Sequence, residues 1–282
     1  MTSSVQRNGQ ETDPSQLPVF RFSTLNQEAV VHGVTTRTPA LPLNGNMSFM
    51  VGDALDLVHQ NRQSWAEAIG YDYRRLVLGR QVHETAVVPV DERHAGSGAD
   101  SVETSIRRVD GLMTASPGLP IGVMAADCVP ILIHDPVRGA VAAIHAGWRG
   151  TVEGIASEAV AALGKKYGSD PSDLKVCLGP SICRSCYEVG TEVIDRWREN
   201  PAASECDAFS ETTAGLYFDL RAANQAQLRA TGVDPGSIEI SDLCTQCSDG
   251  TMFSRRGLGP RTGLFTSVIM VADSPDIWNG DQ

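Results

Sequence analysis

The apolar positions in the middle of the chain form two short runs, at 130–133 and 139–144, joined by a turn at Asp135. Short apolar runs bounded by turn residues are typical of buried strands. In an antiparallel hairpin the start of one strand lies beside the end of the other. Cys128, which opens the first strand, and His145, which closes the second, are therefore predicted to meet at one rim of a sheet.

The remaining pattern predicts a mixed α and β chain. Apolar positions spaced about 3.6 residues apart predict helices, and alternating or continuous apolar runs predict strands. Helices are predicted over 53–70, 152–163, 191–197 and 218–231. Strands are predicted at 19–22, 30–34, 76–79, 85–90, 110–113, 121–125, 174–178, 238–240 and 264–271. Polar or Pro- and Gly-rich loops are predicted at 38–52, 92–105, 179–190, 200–211 and 244–263.

No internal repeat or clean linker divides the chain. The polar segment 1–17 is predicted to be a disordered tail, and 18–282 a single domain of the α/β (α+β) class. A length of 282 residues is sufficient for a substantial core.

Composition narrows the classes of function. A formal charge of −11 argues against nucleic acid and anionic membrane as partners. No apolar run is long enough to span a bilayer and no secretory signal is apparent, so a cytoplasmic protein is expected. The cysteine count of seven is odd, which favours reduced thiols over a secreted disulfide framework.

A third metal-competent side chain, His83, follows the strand at 76–79 and is predicted to lie at a strand rim, as His145 does. His83, Cys128 and His145 would supply N, S and N ligands and leave a fourth tetrahedral position open, the catalytic arrangement for zinc. The same ligands also suit copper. A hydrolase using Cys128 as nucleophile and His145 as base would have the same residues, so the alternatives stay open.

Several residues near these positions could bind an anion or a substrate. Gly147 and Gly150 begin the helix after His145, so free backbone amides and Arg149 would face the same rim. Arg62 falls on the apolar face of its helix and either extends to the surface or points into a site. Asn46 lies in a polar loop and could contact a substrate or solvent.

Two CxxC pairs, Cys183/Cys186 and Cys244/Cys247, could together form a four-cysteine zinc site. Their wide separation, with predicted helices between them, is unlike a compact zinc ribbon. A redox role is disfavoured because neither pair begins a helix directly after a strand.

Five motifs occur in an order that resembles the laccase-domain family, also described as multicopper polyphenol oxidases or YfiH-like purine nucleoside phosphorylases. The motifs are GRQVHE, AADCVPILIHDP, IHAGWRGT, LGPSICRSCYEVG and a closing CT…FSRR…TG, and the likeness covers about residues 30–272. It implies one α/β domain with mixed sheets flanked by helices, and a zinc site made by His83, Cys128 and His145.

The same resemblance implies phosphorolysis of purine nucleosides (adenosine, inosine, guanosine and methylthioadenosine) and deamination of adenosine. Inorganic phosphate would be the co-substrate, with Arg62 and Arg149 as candidate phosphate groups. Asp127 is the nearest candidate for a general acid or base. Arg255 and Asn46 fall in segments that match the family only partly, and are further substrate-binding candidates.

Three other functions are compatible with the sequence. Copper-dependent phenol oxidation ranks lower because the chain has only six histidines, too few for a histidine-rich copper cluster. The other two are a Cys–His hydrolase that acts on cell-wall precursors and a non-enzymatic interaction module stabilised by a bound metal. A monomer or small homo-oligomer is expected.

Overall fold

Two β-sheets packed face to face form the centre of the computed structural model, which describes residues 13–52 and 54–273. The strands are β1 (Val30–Val34), β2 (Val77–Arg80), β3 (Val87–Pro89), β4 (Ile106–Arg107), β5 (Gly111–Thr114), β6 (Ile121–Ala125), β7 (Val129–Asp135), β8 (Ala140–Ala146), β9 (Lys175–Leu178), β10 (Glu188–Val189), β11 (Phe209–Thr212), β12 (Gly215–Phe218), β13 (Ile238–Ile240) and β14 (Phe265–Val271). The helices are α1 (Leu55–Ile69), α2 (Trp148–Glu153), α3 (Ile155–Tyr167), α4 (Thr191–Glu199), α5 (Leu220–Ala230) and α6 (Arg255–Leu258).

The predicted hairpin is the centre of the larger sheet. This sheet has the strand order β13-β9-β7-β8-β5-β3, and β7 and β8 pair antiparallel with Pro130 opposite His145. Every residue of both strands is buried, which accounts for their continuous apolar sequence. The second sheet has the order β1-β14-β6-β2-β4, and a small third sheet has the order β10-β12-β11.

Side chains on the two faces of the central hairpin belong to different parts of the core. Ile131 and Ile133 pack with residues of α3 and α5 on the outer face of the larger sheet. Leu132 and Val141 face the second sheet. Helix α1 packs on the far side of that second sheet, where its Ile69 contacts the core. The result is a helix–sheet–sheet–helix stack, which confirms the predicted α/β domain with mixed sheets flanked by helices.

The predicted segments at 19–22 and 200–211 differ from the structure. Residues 19–22 make only an isolated bridge, Phe20 to Val34, rather than a strand. The predicted loop at 200–211 contains a turn at Pro201–Glu205 and the strand β11. The sequence of β11 is partly charged and exposed, so backbone pairing with β12 forms it without an apolar pattern.

The predicted tail falls partly within the described residues. Pro14–Gln16 forms a turn and Leu17 is buried against the core. Residues 1–12 lie outside the described part, and so do Asp53, at the predicted start of α1, and residues 274–282. Within the described segments no helix combines the length and the apolar character that a membrane crossing requires.

His32 on β1 gives the fold a pH dependence. Its side chain is fully buried, and its Nε2 accepts a hydrogen bond from the Phe22 amide at 3.0 Å. Burial, and then the positive charge of Arg21, lower the pKa of His32 from 6.5 to about 4. The imidazole is therefore neutral in the folded chain at pH values where the unfolded chain already binds a proton.

The free energy of unfolding is accordingly expected to be unaffected by His32 above about pH 6.5 and to fall as the pH drops towards about 4. The total loss is about 3 kcal/mol at 1.36 kcal/mol per pKa unit. Urea unfolding of wild type and of His32→Gln over this range measures it. Glutamine offers a non-titrating oxygen to the Phe22 amide, so the variant should lack this component; equal pH slopes would contradict the assignment.

Candidate active site

The three side chains predicted as metal ligands converge at one edge of the interface between the two sheets. His83 lies in the loop between β2 and β3, Cys128 directly precedes β7, and His145 lies near the end of β8. Their ligand atoms all lie within 4.8 Å of one another. The imidazole rings of His83 and His145 are nearly perpendicular, with centroids 4.9 Å apart. This arrangement places N, S and N donors around one point, as a bound ion requires.

Gly147, at the start of α2, leaves the space that the three side chains occupy. A Cβ atom at this position would lie 2.9 Å from Cδ2 of His83 and 3.1 Å from Sγ of Cys128. Both contacts are tighter than normal van der Waals packing. A glycine is therefore required here by the close approach of the ligands.

Asp110 holds two of the three ligands in place, and sequence analysis missed it. Its carboxylate is fully buried and lies 2.9 Å from Nδ1 of His145. It also accepts the backbone amides of Val82, His83 and Glu84 at 3.0, 2.9 and 3.0 Å. These amides hold His83 in a left-handed backbone conformation with φ of 64°. With Nδ1 of His145 engaged, its Nε2 is the nitrogen left for a metal.

Burial and charge act in opposite directions on these groups. Burial works to raise the pKa of the Cys128 thiol, but His145 and His83 outweigh it and lower that pKa, which favours the thiolate. Burial works to lower the pKa of His145, but the charges of Cys128 and Asp110 outweigh it and raise the pKa. The thiolate is the form of cysteine that binds metal, and an ion would take the place of the imidazolium proton.

A cavity of about 530 Å³ opens beside the three ligands and draws its walls from both sheets. Its apolar lining includes Phe49, Met124 and Leu264. Its charged lining among the described residues consists of arginines, without a carboxylate. These are Arg62, Arg80, Arg255 and Arg261. The cavity therefore suits a ligand that is part apolar and part anionic.

The side chain of Arg62 forms part of the cavity wall and is bonded there to backbone carbonyls. Its guanidinium is almost fully buried and lies 4.1 Å from the Phe49 ring centroid. Its Nε and one terminal nitrogen donate to the Met47 carbonyl at 2.9 and 2.8 Å. Its other terminal nitrogen donates to the carbonyls of Gly98 and Ala99 at 2.7 and 2.5 Å. The structure thus gives Arg62 a role in holding two loops together, in place of the predicted phosphate contact.

Asp127 is not part of the cavity lining, because its carboxylate is bonded to the segment that follows Cys244. We call this set of hydrogen bonds the Asp127 clamp. Its carboxylate accepts hydrogen bonds from the hydroxyls of Thr245 and Ser254 at 2.6 and 2.7 Å and from the Arg256 amide at 2.7 Å. These bonds join the segment after Cys244 to the residue before Cys128. The contacts do not support the predicted role of Asp127 as general acid or base, and instead indicate that it positions this segment.

Two other candidates lie outside the cavity lining. The side chain of Asn46 is buried, and its Oδ1 accepts the amides of Ser48 and Leu264 at 3.0 and 2.9 Å. Arg149 is exposed and its guanidinium lies 4.5 Å from the ring centroid of Trp148. The direct substrate contacts predicted for both residues are therefore replaced by a loop-bracing role for Asn46 and a surface position for Arg149.

Arg255 remains a candidate for direct contact with a substrate. It begins α6, lines the cavity and is exposed, with one hydrogen bond to the Pro260 carbonyl at 3.3 Å. Arg261, which the sequence analysis did not select, lines the same wall. Arg255 lies between two residues that bond to Asp127, Ser254 and Arg256, and Arg261 follows shortly after, so the Asp127 contacts position the backbone that carries both arginines.

Comparison with known proteins identifies the family of this chain. Residues 31–272 match the family described as multi-copper polyphenol oxidoreductase laccase. The chain belongs to this family. The match contains all three candidate ligands and Asp110, and it confirms the resemblance carried by the sequence motifs.

Similar proteins carry names from nucleoside metabolism. The chain is 33% identical to a purine nucleoside phosphorylase of Bacteroides thetaiotaomicron, over 86% of this chain and 92% of that protein. It is 38% identical to adenosine deaminase RL5 of an unknown prokaryotic organism, over 79% and 86%. The crystal structure of Bacillus licheniformis YfiH matches with a TM-score of 0.82 and 35% identity, over 87% of this chain and 94% of that one.

Proposed function

We propose that this chain is a zinc-dependent purine nucleoside phosphorylase that also deaminates adenosine. Its substrates would be adenosine, inosine, guanosine and methylthioadenosine, with inorganic phosphate as co-substrate. The observation that carries the proposal is an N, S, N ligand set beside a cavity whose charged lining, among described residues, is arginine. The names of the similar phosphorylases and deaminase supply the substrate class.

The side chains at the site fit a catalytic zinc ion. Two imidazoles and a thiolate are zinc ligands, and three protein ligands leave a position for a reactant. Asp110 orients His145 as carboxylates commonly orient zinc-bound histidines, and Gly147 supplies the necessary room. A bound zinc ion supplies Lewis acidity, which polarises an attacking or leaving group.

The residues of the chain would bind and orient the two substrates. Arg255 and Arg261 would hold phosphate, since a planar guanidinium matches phosphate oxygens in charge and geometry. The apolar wall at Phe49 and Met124 would pack against the base and exclude water. The Arg62 contacts keep that wall in place, because they join the loop that carries Phe49 to the loop at Gly98.

Phenol oxidation by several coppers, the activity in the family description, fits the described residues less well. His32 is bonded within the core and His94 is bonded to Asp91. Within the described residues, the groups able to hold a metal are the His83, Cys128, His145 set and a set of four cysteines. Neither is a histidine-rich cluster, so we favour the nucleoside reactions.

Incubation of purified protein with adenosine, with and without phosphate, tests the proposal. Phosphorolysis yields adenine and ribose 1-phosphate only when phosphate is present, whereas deamination yields inosine in either case. Absence of both products from zinc-loaded protein, together with turnover of a phenol by copper-loaded protein, would reverse the ranking.

Removal of a cavity arginine should affect phosphate specifically. Arg261→Ala and Arg255→Ala are each expected to raise the KM for phosphate about tenfold, the effect of one lost charge-assisted hydrogen bond. Adenosine deamination should change little, since it uses no phosphate. Arg149→Ala removes an exposed arginine outside the cavity and is the matched control. An equal rise in all three variants would show that net charge, rather than these contacts, governs phosphate affinity.

A further inference from the structure

The four cysteines of the two CxxC pairs form a compact group that shares no residue with the three candidate ligands of the active site. All four Sγ atoms lie within 4.8 Å of one another. Four thiolates bound to one zinc ion at about 2.3 Å would lie about 3.8 Å apart at the corners of a tetrahedron. The observed cluster is therefore close to the size of a four-cysteine zinc site before any ion is added. The cysteines are Cys183, Cys186, Cys244 and Cys247.

Sheet topology explains how pairs so distant in sequence come together. Strands β9 and β13 pair in parallel, with Leu178 opposite Ile240, so the segments that leave both strands begin at the same edge. The two segments stay in contact through a parallel bridge between Ser181 and Cys244. Each segment then carries one CxxC pair to the same place. The intervening helices α4 and α5, which had argued against a shared site, pack on the outer face of the larger sheet and leave the two segments side by side.

Arg221 of α5 holds the two segments at this distance without help from the cysteines. Its terminal nitrogens donate to the carbonyls of Ser181 and Leu243, both at 2.5 Å, and to that of Ser241 at 2.6 Å. The four thiols are consequently assembled by the surrounding fold. A site that is assembled in advance binds an ion with little further ordering of the chain.

The backbone around Cys244 favours a thiolate. The Cys183 amide donates to Sγ of Cys244 at 3.3 Å. The backbone amides of Cys247 and Gln246 also hydrogen-bond to this sulfur. Amide hydrogen bonds to sulfur are a common means of stabilising metal-bound thiolates.

We propose that Cys183, Cys186, Cys244 and Cys247 bind a structural zinc ion that anchors the start of segment 244–263. This segment supplies Thr245 and Ser254 to the Asp127 clamp and Arg255 and Arg261 to the cavity wall. Four protein ligands leave no open position, so the ion is structural and distinct from one held by His83, Cys128 and His145.

Metal analysis of the full chain, purified after expression in zinc-supplemented medium, is the first test. The wild type should contain two zinc ions. Cys183→Ser/Cys247→Ser should contain one less and unfold at a lower temperature, while Cys128→Ser should lose the other ion. Cys206→Ser removes a thiol outside both groups and should retain both ions. Equal zinc content in the double variant and the Cys206→Ser control would overturn the proposal.

A second measurement uses only wild-type protein, and so does not depend on how well a variant folds. Metal-free, reduced protein is incubated with zinc and then with an alkylating reagent, and the modified cysteines are identified by mass spectrometry. Zinc should protect all four cysteines of the group together, and protection of both this group and Cys128 should require two equivalents of zinc. Unchanged alkylation with zinc, or isolation of these cysteines as disulfides without metal, would overturn the proposal.

Refilling with cobalt identifies the donor atoms. Cobalt at the four-cysteine site should give strong thiolate-to-metal charge-transfer absorption that largely persists in Cys128→Ser and falls, in Cys183→Ser/Cys247→Ser, to the weaker absorption of the single thiolate of Cys128. If the absorption instead follows Cys128, the four-cysteine group does not bind the metal. Because these readouts do not involve nucleosides, they remain valid even if the proposed enzymatic activity is absent.

Discussion

Cys128→Ala is expected to lower kcat/KM for every nucleoside substrate by about a thousandfold, because loss of one of three ligands removes the ion and the several kcal/mol of stabilisation that it supplies. Zinc content should fall by one equivalent in the same preparation. Cys206→Ala, which removes a half-buried thiol elsewhere, should retain both activity and zinc. Full turnover by Cys128→Ala would show that the three-ligand site is not where the reaction occurs.

Chelation separates the metal role of Cys128 from a role as nucleophile. A cysteine hydrolase that uses His145 as base would lose activity in the same variant. In Cys183→Ser/Cys247→Ser, which lacks the four-cysteine ion, such a hydrolase would keep the activity of that variant after the remaining zinc is removed. We expect a strong chelator to abolish nucleoside turnover and added zinc to restore it. Activity that survives complete removal of zinc would favour the hydrolase reading.

The sequence was most informative where local pattern and long-range pairing coincide. The two apolar runs and the turn at Asp135 predicted a hairpin, and hairpin geometry alone placed Cys128 beside His145. His83 could be placed at a strand rim in the same way. That these three share one site came from the family resemblance, because β2 and β8 belong to different sheets and their proximity is not visible in either pattern.

Other features depended on contacts that no pattern encodes. The sequence identified Asp110 only as the first residue of a predicted strand. The one indication of a role was the position of an acidic side chain directly before a buried apolar run. Arg62 was correctly singled out as unusual, but only the positions of the Met47, Gly98 and Ala99 carbonyls show what it binds. The cysteine group likewise depends on the parallel pairing of β9 with β13.

Asp110→Asn is expected to lower both zinc affinity and kcat/KM by about 10- to 100-fold, the usual effect of removing a carboxylate that orients a zinc-bound histidine. Asparagine has nearly the same shape but only one accepting oxygen. It therefore cannot accept the amides of Val82, His83 and Glu84 and also accept from His145. Zinc titration against a competing chelator, alongside initial rates at saturating zinc, separates the loss of affinity from any loss of turnover.

Asp135→Asn provides the matched control for this variant. Asp135 is also fully buried on the central hairpin and accepts two backbone amides, those of Val137 and Arg138, both at 2.9 Å. It lies at the opposite end of the strands from the ligands, and asparagine keeps the one oxygen that accepts both amides, so its replacement should leave zinc affinity unchanged. If both variants lose zinc affinity equally, the loss comes from a general effect of the substitution on folding rather than from the contacts of Asp110. If only Asp110→Asn loses it, the carboxylate acts through the orientation of His83 and His145, because both substitutions replace one oxygen of a fully buried carboxylate with nitrogen.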